Sequence, residues 1–193
     1  MQFPSAVLLV TELHARHPPR VRQLQGGGEQ RRGIHTPKLP DQHHHPPDPL
    51  THTKQRKALY FYDTGLLCHL LGIRTVEALV AHPKFGDIFE NLIIAETMKQ
   101  HLNANQEPQL FFYRDASKVE VDLLDFTDPN HRLMIEIKSG QTYHDRFARH
   151  LTLIGNVLGI PCEQQYVTSR VEQSYVSQGI RVTSALDWLE GRR

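Results

Sequence analysis

The stretch LFFYRDASKVEVDLLDFTDPNHRLMIEIKSG, residues 110–140, decides the fold. Leu110 to Arg114, Val119 to Phe126 and Arg132 to Lys138 are rich in β-branched, aromatic and aliphatic residues. They are separated by Asp115-Ala116-Ser117 and Asp128-Pro129-Asn130, clusters that form turns. Connections this short predict an antiparallel meander. In the third run Leu133, Ile135 and Ile137 alternate with Met134, Glu136 and Lys138, so Glu136 and Lys138 project from one face. In the second, Val119, Val121 and Leu123 take one face and leave Glu120, Asp122 and Leu124 on the other. A carboxylate and an ammonium therefore stand side by side, with a neighbouring acid in reach.

Working outward, Phe85 to about His101 places Phe85, Ile88, Phe89, Leu92, Ala95 and Met98 at helical spacing behind Pro83. Ahead of it, Leu59-Tyr60-Phe61-Tyr62 reads as a short strand, Asp63-Thr64 as the cap of a helix through Leu71, and Thr75 to Val80 as a second short helix. After the meander, Tyr143 to Leu158 is helical with Gly159-Ile160-Pro161 as its stop. Gln164 to Thr168 is a strand, Ile180 to Val182 another, and Ser184 to Glu190 an end helix. The order helix, three strands, helix, strand describes an α/β sandwich with helices covering the sheet.

The chain has 193 residues, enough for one domain with a tail. Its near-neutral formal charge of +1 hides a seam near Lys57. Residues 1–57 hold nine Lys/Arg against four Asp/Glu, eight of the 12 prolines and seven of the 13 histidines, with Phe3 as their single aromatic. Gly26-Gly27-Gly28, Pro18-Pro19 and His43-His44-His45 punctuate a segment with almost no apolar period, which predicts disorder. The same break is what a shifted reading frame, or a gene remnant upstream of an intact domain, would produce. Residues 58–193 are net −4 and form the predicted folded domain. Cys68 and Cys162 have no metal-ligand spacing and read as thiols of a reducing compartment. No apolar run approaches the roughly 20 residues of a membrane span, and the expectation is a cytoplasmic chain with no membrane partner.

Acids and a lysine on adjacent strands suit a hard cation. Mg²⁺ is commonly held by one or two carboxylates plus substrate phosphate, and would activate water and clamp that phosphate. A solvated strand face with a Glu/Lys pair is the plainer account of the same pattern.

Asp122 within Val119-Glu120-Val121-Asp122, followed by Ile135-Glu136-Ile137-Lys138-Ser139-Gly140, resembles the D…E-x-K signature of the PD-(D/E)XK, or restriction-endonuclease-like, superfamily. The element order matches that core. With Leu59 to Leu66, Gly86-Asp87-Ile88-Phe89-Glu90-Asn91 and Phe112-Tyr113-Arg114-Asp115, the series is similar to the C-terminal uncharacterised domain of bacterial and archaeal AAA-type ATPases, over about residues 57–190. The resemblance implies Asp122 and Glu136 as ligands of Mg²⁺ or Mn²⁺, Glu90 as an additional metal acid, and Lys138 as the catalytic lysine. It implies DNA phosphodiester hydrolysis and an ATPase module as partner. No G-x-x-x-x-G-K-[ST] loop occurs, so this chain is not itself the ATPase. A catalytically silent nucleic-acid-binding or protein-interaction module that accompanies an ATPase is the alternative, and the net −4 of the folded part leans that way. Asp63 reads as a cap rather than a ligand, and Tyr113 and Arg114 as packing residues.

Overall fold

The computed structural model describes residues 7–13, 57–114 and 119–192. The elements are β1 (Val7–Leu13), β2 (Lys57–Phe61), α1 (Thr64–Leu70), α2 (Val76–Val80), α3 (Phe85–Asn103), β3 (Leu110–Arg114), β4 (Glu120–Asp125), β5 (Leu133–Lys138), α4 (Arg149–Leu158), β6 (Gln165–Ser169), β7 (Tyr175–Ser177), β8 (Ile180–Ser184) and α5 (Ala185–Leu189). One mixed sheet of eight strands runs β2-β1-β3-β4-β5-β6-β8-β7. β3, β4 and β5 form the expected antiparallel meander, and β5, β6 and β8 continue it as parallel neighbours.

Each face of the sheet is buried under helices. On one side Phe89, Ile93 and Ile94 of α3 and Trp188 of α5 pack on Phe112, Leu123, Ile135, Ile137 and Tyr166. On the other, Leu151 and Ile154 of α4 pack on Tyr113, Val121, Leu124, Met134 and Val167. This is the three-layer α/β arrangement expected from the element order. Caps act where the sequence places them. Asp63 accepts from the Leu66 amide at 2.9 Å, and Thr75 from the Ala78 amide at 3.2 Å. α4 ends at Gly159, whose φ of 66° is the left-handed stop that glycine tolerates. The helix expected from Tyr143 is shorter, because Asp145–Ala148 form a 3₁₀ turn before α4 begins at Arg149. Among the described residues no helix is long and apolar enough to cross a membrane.

Two expectations need correction. The composition of residues 1–57 predicts disorder, yet Val7–Leu13 is a strand, antiparallel to β2 and parallel to β3. Its run of Val7, Leu8, Leu9, Val10 and Thr11 has the β propensity for the role. Lys57, placed in the disordered segment, opens β2. The Gly-, His- and Pro-rich remainder of that segment lies outside the described residues. Strict alternation along the second strand of the meander also fails. Phe111 pairs with Leu124 but Tyr113 pairs with Val121, so β4 carries one extra residue, a β-bulge. Val121 and Leu124 consequently join the α4-side core, while Leu123 joins the α3-side core.

β2 lies at the sheet edge and pairs only with β1. Removing β1 leaves β2 without a ladder while it still carries Tyr60, a member of the α3-side core. A chain beginning at Lys57 is therefore expected to melt at least several degrees below the full chain, measured by circular dichroism. Equal melting temperatures would show that β1 adds nothing to the sheet.

Candidate active site

The bulge and the end of a ladder build the site. β4 and β5 pair from Asp125↔Leu133 to Leu123↔Ile135 and no further. Beyond that point the Ile137 amide donates to Asp122 Oδ2 at 2.7 Å instead of to a β4 carbonyl. A carboxylate thus takes the place of a backbone acceptor in the gap where the strands part, and it meets the E-x-K side chains there. Lys138 Nζ lies 2.6 Å from Glu136 Oε1 and 3.4 Å from Asp122 Oδ2. The three side chains that sequence spacing singled out on β4 and β5 are in contact.

Glu90 comes from α3. Its Oε1 accepts the Tyr60 hydroxyl at 2.7 Å. The next residue, Asn91, fixes the helix to β2 and α1: Oδ1 accepts from the Phe61 amide at 2.7 Å, and Nδ2 donates to the Phe61 carbonyl and to Thr64 Oγ1, each at 3.0 Å. At the start of α3, a Cβ on Gly86 would come 3.7 Å from Ser139 Oγ, so the helix begins against the exit of β5. The Gly86-to-Asn91 motif therefore sets one turn against Ser139, presents one acid and anchors one strand.

Electrostatics tie the acids together. Burial pushes the Glu90 carboxyl up to about 7, with repulsion from Asp122 adding to it and the Tyr60 hydrogen bond and Lys138 opposing. Glu136 is raised by the same two causes, burial and then Asp122, against the pull of Lys138. Burial works to lower Lys138, but Asp122 and Glu136 outweigh it and hold the ammonium above its ordinary range. Burial and Glu90 keep the Tyr60 hydroxyl protonated, hence a donor. Glu90, Asp122 and Glu136 share one lysine in a partly buried site, and the raised Glu90 and Glu136 hold their protons to higher pH than free carboxyls do.

Glu136 Oε2 is fully buried with no hydrogen-bond partner, a carboxylate oxygen left for something else to satisfy. Two carboxylates of the kind Asp122 and Glu136 supply are a set that Mg²⁺ can take when water and phosphate complete its shell. Among the described residues no group of three or more His, Cys, Asp or Glu is arranged to hold a metal. Glu90, bound to Tyr60, stands apart from the pair.

These shifts give a sign for pH dependence. A carboxyl raised above its ordinary 4.5 supports the fold fully below that value and loses the contribution as pH climbs through about 7 for Glu90 and about 8 for Glu136. The melting temperature in EDTA is expected to fall across that interval, and the upshift on adding Mg²⁺ to grow, since a cation needs ionised ligands. A Mg²⁺ upshift that is flat with pH would separate these acids from metal binding.

Other sequence candidates resolve differently. Tyr113 is buried in the α4-side core, and Arg114 forms an exposed 3.7 Å pair with Glu120. Asp63 is a cap. Sequence reasoning missed the Tyr60 hydroxyl, because one tyrosine in an aromatic strand carries no signal of what it will face.

A family model described as "Domain of unknown function (DUF4143)" matches residues 85–188, from the first residue of α3 to the tryptophan of α5. The chain belongs to the DUF4143 family. The matched span holds Glu90, Asp122, Glu136 and Lys138, while β2 with Tyr60 precedes it. No curated protein and no solved structure matches the chain.

Proposed function

We propose that this DUF4143 domain hydrolyses DNA phosphodiesters with Mg²⁺ or Mn²⁺, using a PD-(D/E)XK-type arrangement, and that it accompanies an AAA-type ATPase module. The observation that carries this is the junction of Asp122, Glu136 and Lys138 where β4 and β5 part, with one buried Glu136 oxygen unpartnered. Asp122 and Glu136 would hold the cation. Bound there, it would act as a Lewis acid on a phosphate oxygen and lower the pKa of water. Lys138, kept protonated by its two acids, donates to an oxygen on which negative charge grows in the transition state. Asp122 keeps its orientation through the Ile137 amide and so requires no reorganisation when substrate arrives. Glu90, held by Tyr60, is placed to accept from water on the α3 side.

The silent interaction module is a second reading, and one observation favours it. Leu70, Leu71 and Val76 of the α1–α2 region are exposed at 62%, 43% and 71%, more apolar surface than a short helical hairpin ordinarily shows to water. The two readings part on metal binding. Asp122→Asn keeps the side chain's shape and removes its charge, so calorimetric Mn²⁺ affinity is expected to fall about tenfold or more. Identical titrations for wild type and variant would leave Asp122 as the acceptor of the Ile137 amide and nothing more.

A further inference from the structure

Arg170 is the cation at this end of the sheet that the cluster leaves unused. It follows β6 directly. Lys138 pairs with Ser169 in the parallel β5–β6 ladder, and adjacent strands lie about 4.8 Å apart, so Arg170 is one strand and one residue away from Lys138. Its amide donates to the Gly140 carbonyl at 2.9 Å, tying the exit of β6 to the loop that leaves β5. Its guanidinium carbon lies 5.1 Å from the centroid of the Phe85 ring. Phe85 opens α3, and Glu90 follows five residues later on the same helix, about 7.5 Å along its axis. The charge is therefore held on the side of the sheet where the Glu90 carboxylate stands.

What it is not paired with matters as much. Arg114 has Glu120, and Arg192 has Asp187 and Glu190. Among the described residues no carboxylate lies within ion-pair distance of Arg170, although Lys138 with its two acids is one strand away. An arginine present to neutralise those acids would touch one of them. This one is half-buried, its backbone is tied to Gly140 and its planar fork lies against the Phe85 ring, and such a fork can meet two phosphate oxygens at once.

We propose that Arg170, oriented by Phe85 and Gly140, is a positioning residue that holds the phosphate backbone of bound DNA beside the Asp122–Glu136–Lys138 cluster. The inference builds on the hydrolytic reading, because it takes the same polymer as ligand.

The test is fluorescence anisotropy of a fluorescein-labelled flapped DNA with the full chain, in Ca²⁺, over a series of salt concentrations. Arg170→Ala is expected to bind about tenfold more weakly, with the slope of log affinity against log salt shallower by about 1, as for one lost phosphate contact. Arg170→Lys is expected to restore the slope and only part of the affinity, because it keeps the charge and loses the fork. Mn²⁺ titrations of both variants should match wild type, which a general disturbance of the site would not allow. Arg170→Ala with wild-type affinity and slope overturns the proposal, as does a wild type that binds no DNA. The hydrolytic reading fails separately. A wild type that binds DNA through Arg170 yet cuts no substrate in Mg²⁺ or Mn²⁺ keeps Arg170 as a phosphate contact and removes the nuclease.

Discussion

Lys138→Ala is expected to lower DNA cleavage by about 10²–10³-fold while leaving Mn²⁺ binding intact or tighter. The first effect would come from losing the Lys138 ammonium, which sits 2.6 Å from Glu136 and 3.4 Å from Asp122, where it would meet charge developing on a phosphate. The second comes from the same distances. Nζ competes with a cation for Glu136 Oε1, so its removal frees an oxygen and strengthens the field of the two carboxylates. Glu136→Ala should instead lose metal affinity and cleavage together. Branched, flapped, single-stranded and duplex DNA, each in Mg²⁺ and in Mn²⁺, form the substrate panel. Loss of chemistry without loss of metal marks an interaction that acts in the transition state. A Lys138→Ala protein that cuts as fast as wild type, or a wild type that cuts nothing on the panel, sinks the hydrolytic assignment. The silent module would then be the better account.

The central elements were legible because their signals are local. Turn clusters at Asp115 and Asp128 divide the meander into its three strands, the helical spacing from Phe85 marks α3, and the D…E-x-K pattern marks the strands whose carboxylates the fold brings together. What was not legible depends on pairing at a distance. β1 is a short apolar run that becomes a strand only because β2 and β3 flank it, and nothing in Val7–Leu13 alone announces those neighbours. The bulge in β4 is equally silent, since a single extra residue leaves an alternating sequence looking regular while it changes which side chains share a face. Tyr60 and Arg170 gain their meaning from α3, Tyr60 through Glu90 and Arg170 through Phe85. The acids could be found from the pattern. The groups that pack beside them on α3 needed the fold.

Trp188→Ala is expected to be the most destabilising single substitution in the domain, costing roughly 3–5 kcal/mol. The indole is fully buried, edge-on to Tyr166 at 5.5 Å between ring centroids, and Nε1 donates to Thr97 Oγ1 at 2.9 Å. Thr97 in turn donates to the Ile93 carbonyl at 2.8 Å, so the tryptophan closes a short chain of hydrogen bonds inside α3. Truncation therefore opens a large cavity and also removes the donor to the buried Thr97 oxygen, two costs that add. Trp188→Phe separates them, since it keeps much of the ring volume and loses only the N–H donor; about 1–3 kcal/mol is expected for that variant. Trp188 is the chain's one tryptophan, which removes fluorescence as a probe and leaves circular dichroism for the melts. The alanine variant should melt upwards of about 10 °C lower, with the phenylalanine variant between it and wild type. The consequence reaches the site through α3. Gln100 donates to the Trp188 and Leu189 carbonyls at 2.9 and 3.0 Å, so α5 and α3 are fastened together, and α3 is what presents Glu90. A Trp188→Ala protein that melts within a few degrees of wild type would mean that α5 is not docked as described and that α3 is held by the sheet alone.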